Sequence, residues 1–161
     1  MFPYHPILIT SSCLKNHKVC SVHFKSTAMD NKLERAGMMH AQINTWKETV
    51  RLVRDETKIF ENQLQNITKH WTESEVLQYV QKFESQFIRQ HEVCDELEHD
   101  LKIADHNLNK WMQWLHAGNV ESAPDQSALE DKANTFEKLF MELRDEFRHF
   151  AAQLQNARSL N

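Results

Sequence analysis

From Met29 onward, apolar side chains recur at alternating steps of three and four residues, the spacing that lines one side of an α-helix into a continuous seam. The first track runs through Ala36, Met39, Ile43, Trp46, Val50, Val53, Thr57, Phe60, Leu64, Ile67 and Trp71. The second runs from Val76 through Val80, Phe83, Phe87, Gln90, Cys94, Leu97, Leu101, Ala104, Leu108 and Trp111 to Leu115. The third comprises Leu129, Ala133, Phe136, Phe140, Leu143, Phe147, Phe150, Leu154 and Ala157. None of the tracks skips a step. An average of 3.5 residues per repeat predicts long helices that supercoil with a left-handed twist.

The interruptions predict where the helices stop. Thr72-x-x-Glu75 has the spacing of a capping box, with Trp71 and Val76 placed to staple its two sides. Gly118 suits the left-handed residue that ends a helix. Ser127-x-x-Glu130 is a second capping box, with Ser122 and Asp125 as competing caps. Helices are therefore expected over about 30–70, 73–117 and 126–158. The first connection is short, so its two helices must be antiparallel neighbours. The fold class is all-α: an antiparallel three-helix bundle of long coiled-coil-like helices, of the spectrin-repeat kind.

Composition supports long elements with few turns. Among 161 residues there are only two glycines and three prolines, too few for the tight turns of a β-rich domain. Residues 1–28 differ from the rest. They lack heptad order, hold Pro3 and Pro6, and carry Lys15, Lys18 and Lys25 with no acid. They are expected to be a disordered tail or a start-site extension ahead of a bundle at 29–161. Ile7 to Ile9 is too short an apolar stretch for a secretory signal.

The net charge of −4 is the sum of that basic segment and a more acidic body. An acidic helical body does not favour nucleic acid, which needs a basic face. No apolar run approaches the roughly 20 residues of a membrane span. Three cysteines, Cys13, Cys20 and Cys94, do not form a disulfide framework and fit a reducing, cytoplasmic setting.

Register counted outward from the two connections predicts unequal helices. The first sets Phe60 against Phe83 and Val50 against Cys94. The second sets Leu108 against Phe136 and Cys94 against Phe150. The third helix then runs out near residue 87. That leaves Phe60, Leu64, Ile67, Trp71, Val76, Val80 and Phe83 in a two-helix tip, an apolar patch of the kind that binds a partner or a second copy. The competing reading is a tip that packs adequately as a two-stranded coil, or one that is covered by the tail of residues 1–28. Trp111, Met112 and Trp114, near Met38 and Met39, read first as a bundle cap and second as another adhesive end.

Candidate chemistry is thin. Glu96-x-x-His99 and Glu146-x-x-His149 resemble the paired motifs of di-iron bundles, which use inward-pointing ligands from four helices. Here Leu97 and Phe147 occupy the seams, so the four residues fall on flanking positions. Cys13, His17, Cys20 and His23 offer zinc donors, but at tighter spacing than structural zinc sites use. Cys94 lies on a seam and reads as a buried, inert thiol. The polar seam residues Thr57 and Gln90 read as register-setting or merely tolerated. No catalytic residue, metal or cofactor is expected, and the metal-binding bundle stands as the alternative to an interaction or scaffold module.

Between Ile43 and Leu101 the chain resembles a group of small bacterial coiled-coil proteins without established activity. The likeness rests on Trp46-Lys47, Glu56, Asn62, Phe83-x-x-Gln86-Phe87 and Leu97-Glu98-His99-Asp100. It implies a bacterial, cytoplasmic helical protein and carries over no functional residues.

Overall fold

The computed structural model describes the backbone of residues 17–119 and 122–159, and the side chains of 29–119 and 122–157. Three helices account for nearly all of this: α1 (His17–Thr68), α2 (Ser74–His116) and α3 (Ser127–Ser159). They form an all-α three-helix bundle, with α2 antiparallel to α1 and α3. At ~1.5 Å per residue, α2 is about 65 Å long.

The three seams meet as one core. Ile43, Val50, Val53, Phe60 and Leu64 of α1 are buried, as are Phe83, Phe87, Cys94, Leu97, Leu101 and Leu108 of α2. α3 contributes Ala133, Phe136, Phe140, Leu143, Phe147 and Phe150. Thr57 is fully buried, and its hydroxyl donates to the Val53 carbonyl at 2.8 Å. The polar seam position at Thr57 is therefore satisfied within its own helix, not by a bond across the seam.

α1 begins well ahead of the start expected near residue 30. Residues 17–28 have helical backbone, whereas residues 1–16 lie outside the described residues. No glycine or proline interrupts the chain between His17 and Ala36. Adding a residue to an existing helix gains a hydrogen bond without repeating the cost of nucleation.

Both registers differ from a simple count out of the connections. Phe60 packs on Phe87 at 6.1 Å, not opposite Phe83. Arg54 reaches Asp95 at 2.8 Å and Glu98 at 3.1 Å. This is a shift of about one turn away from the count, across a five-residue break between Thr68 and Ser74.

The displacement of α3 is larger. Phe150 lies against Tyr79 (5.5 Å) and Phe83 (5.3 Å), not Cys94. Lys132 reaches Asp100 at 2.6 Å, and Lys82 reaches Glu146 at 2.9 Å. α3 therefore sits about three turns nearer the hairpin turn than a symmetric fold-back would put it.

The connection after α2 causes this. Gly118, at φ +80°, is the left-handed residue of a Schellman end. Its N–H bonds the Leu115 carbonyl at 3.0 Å, and the Asn119 N–H bonds that of Trp114 at 3.1 Å. The chain then runs back along α2, with Ser122 and Pro124 beside Asn107, Lys110, Trp111 and Trp114. α3 starts only there. Its first turn is capped by Asp125, whose Oδ1 accepts from the Ser127 N–H at 2.9 Å. That bond holds the Asp125 carboxyl below its ordinary pKa. Neither expected capping box forms as first read. Asp125 caps α3 in place of Ser127, and Glu73 occupies the cap of α2 without a side-chain capping bond.

Candidate functional site

The bundle consequently has a closed end at the 69–73 turn and an open end at Gly118. At the closed end, α3 covers the hairpin that was expected to project. Phe147 is completely buried and touches Phe60 (4.9 Å), Phe83 (5.2 Å) and Phe87 (5.3 Å). Of the seven residues expected to form an exposed tip, Phe60, Leu64, Val80 and Phe83 are core. Ile67, Trp71 and Val76 are half-buried. The expectation that α3 runs out near residue 87 is thus corrected, because the back-running connection carries α3 down to the turn.

What remains at this end is a cleft of about 430 Å³ between the last turns of α1 and α3. Ile67, Trp71, Ala151 and Leu154 supply its apolar surface, and Gln63, Asn66 and His70 its polar rim. The local backbone holds Trp71 in place. The N–H groups of His70 and Trp71 both bond the Ile67 carbonyl at 3.0 Å, ending α1 tightly. The His70 ring Nδ1 pairs with the Asn66 carbonyl at 2.8 Å. The Thr72 N–H donates to the Glu73 carboxylate at 3.0 Å, fixing the turn.

The metal-like motifs do not assemble. Glu96, His99, Glu146 and His149 are all exposed. Glu96 lies 3.4 Å from Arg89, Glu146 pairs with Lys82, and His149 bonds Gln153 at 2.9 Å. Among the described residues, no three His, Cys, Asp or Glu side chains gather in a metal-holding group. The side chains of Cys13, His17, Cys20 and His23 lie outside the described residues. Cys94 is fully buried, and burial pushes its thiol pKa up, away from the reactive thiolate. Among the described residues, no helix is long and apolar enough to cross a membrane.

One set of charged side chains that pairs α1 with α2 is not among the residues singled out from the sequence. His40, Lys47, Arg54 and Glu61 recur every seven residues beside the α1 seam. All four face α2. Asp105 receives Lys47 at 2.8 Å and lies 3.2 Å from the His40 Nδ1, while Glu61 meets the His91 Nε2 at 3.0 Å. Lys47 lowers the Asp105 pKa, and Asp95 raises that of Arg54. The basic partner is on α1 at the first three steps and on α2 at the fourth. A slip of one heptad would set Glu61 near acids, so the ladder opposes wrong registers. The signal was available in the seven-residue spacing of charges flanking a seam.

No protein-family model matches the chain, nor does any curated protein or solved structure.

Proposed function

We propose that this chain is a non-enzymatic protein-interaction or scaffold module, working through the cleft beside the hairpin turn. The observation that carries this is the position of Trp71. It is a large aromatic side chain held half-buried at a helix end, with Ile67 and Leu154 beside it and a polar rim around it. Buried aromatic anchors in such settings dominate protein–protein binding energy. The ionisable groups support the same reading, since so many of them are engaged in helix-to-helix pairs that hold the bundle together. The partner is a protein segment offering an apolar side chain to the cleft, or a second copy of this chain. The acidic body speaks against nucleic acid. The low cysteine count and the resemblance of residues 43–101 favour the bacterial cytoplasm as its setting.

The test compares Trp71→Asp and Trp71→Phe with the unaltered protein. Helix content should be retained in both, because Trp71 lies at the edge of the core. Trp71→Asp should abolish partner capture or shift the mass in solution, and Trp71→Phe should preserve both. An unchanged partner set and unchanged mass for Trp71→Asp would contradict the proposal.

A further inference from the structure

The cleft beside Trp71 continues as a longer groove between the parallel helices α1 and α3. Asn66 and Gln155 stand on the cleft's rim, one from each helix. Counting back from Asn66 at seven-residue steps reaches Ile59 and then Leu52 on α1. The same steps back from Gln155 reach Arg148 and then Met141 on α3. Residues seven apart keep to one face of a supercoiled helix, so both stripes border the same groove. Arg148 meets Glu56 at 2.8 Å and ties the two helices between those points. Leu52, Ile59 and Met141 are 55%, 54% and 44% exposed. Each is a large apolar side chain that the core does not use. From Ile67 to Leu52 the α1 lip runs about 22 Å.

We propose that this groove, with the Trp71 cleft at its end, receives one amphipathic helix of a partner protein, basic on its polar side. The inference rests on the cleft as the point of attachment and adds what kind of segment enters it. Spacing selects a helix. Ile67, Ile59 and Leu52 follow one another at eight and seven residues, a rise of about 12 and then 10.5 Å. A partner helix lying along α1 repeats its own same-face side chains about every 10.5 Å. A strand repeats them about every 6.7 Å and falls out of step. Charge selects a base. Met141 sits in a shallow depression lined by Glu137, Glu142 and Asp145, with Lys138 as its one base among the described residues. On the other lip, Glu48 and Asp55 flank Leu52 and together hold Arg51. Lysines or arginines beside the apolar stripe of a helix complement these carboxylates. A flexible methionine between them adapts to varied aliphatic side chains. The same charges oppose a second copy of this chain as the occupant. A two-fold contact presents one patch to itself, and here that sets carboxylates against carboxylates.

The test titrates the full chain with a fluorescent helical peptide of about 18 residues, long enough to hold a helix. Its leucines form one face and its other positions are lysine. Anisotropy reads the affinity, and methyl and indole resonances read the place. Shifts should appear at Leu52, Ile59, Met141 and Trp71. Leu52→Asp with Ile59→Asp should weaken binding about tenfold, and so should Glu137→Lys with Glu142→Lys. All four positions are exposed, so helix content should be unchanged in both variants. A peptide of the same composition, with its leucines dispersed around the helix, should bind about tenfold more weakly. No binding of the basic helix, equal binding of the dispersed peptide, or a dimer formed through the groove would overturn the proposal. Shifts confined to Ile67 and Trp71, with Leu52→Asp and Ile59→Asp binding as before, would overturn the groove and leave the cleft standing. Binding unchanged by Trp71→Asp, with shifts still at Leu52 and Ile59, would instead contradict the cleft and uphold the groove.

Discussion

The two ends of the bundle use similar residues to different effect. At the closed end three helices converge, and Phe60, Phe83, Phe87, Phe147 and Phe150 enclose one another. At the open end Leu108, Trp111 and Leu115 are equally buried, but Met38 and Trp114 stand in solvent. Both ends have unbroken heptads, so seam quality does not distinguish them. The difference arises in the connection after Gly118, which runs back along α2 and sets α3 toward the turn. A bundle's exposed apolar surface is thus decided by where its last helix starts, not by the pattern of its seams.

The largest expected effect is on stability at the closed end. Phe147→Ala removes the ring that touches three others in a fully buried position. It should cost about 3–5 kcal/mol, read as a lowered urea midpoint. Met39→Ala at the half-buried open end should cost clearly less, about 1–2 kcal/mol. Equal losses would erase the contrast between the ends.

Next comes the charge ladder. Asp105→Asn weakens the contacts to Lys47 and His40, and about 1 kcal/mol should be lost at neutral pH. The Asp105 pKa is depressed in the folded state, so the unfolded chain takes up the proton first on acidification. The stabilisation is complete above the ordinary carboxylate value of about 3.9 and disappears as pH falls through the lower folded value. Thermal midpoints of the two proteins should differ at pH 6 and converge toward pH 2. A gap independent of pH would mean that Asp105 matters for shape and not for charge.

The smallest effects concern the two glycines, and they should have opposite signs. An added Cβ meets nothing within 4 Å at either position. Gly118 holds a left-handed backbone, so Gly118→Ala should lose about 1 kcal/mol to strain. Gly37 is an exposed position inside α1, so Gly37→Ala should gain about 0.5–1 kcal/mol. Calorimetry of both variants checks the sign. A loss at both would show that the open end needs backbone freedom.

Much of this architecture was legible in the spacing of apolar residues. Ala36 through Leu64 and Val80 through Leu115 are buried at nearly every step that the heptads marked, and Gly118 ends α2 as its lack of a Cβ suggested. Relative register was not legible, because heptads repeat. Phe150 fits a hole beside Cys94 or beside Phe83 with the same spacing. The choice depends on the path of the connection and on the charges flanking the seams, such as Lys132 with Asp100. The candidate site shared that uncertainty. Phe83 was expected in an exposed tip and is core, whereas Trp71 and Ile67 line a cleft with α3 residues that the counted register placed elsewhere. Helix limits were blurred by weak caps: Thr72 has the right spacing, yet its N–H bonds Glu73 and its hydroxyl caps nothing.

The displaced register of α3 is the claim on which both ends depend, and zero-length carbodiimide cross-linking of the native chain tests it most directly. Mapped by mass spectrometry, the links should join Lys82 to Glu146 and Lys132 to Asp100, pairs whose charged atoms lie 2.9 and 2.6 Å apart. Links joining Glu146 to Lys102, with those two pairs missing, would restore the symmetric fold-back and contradict the account.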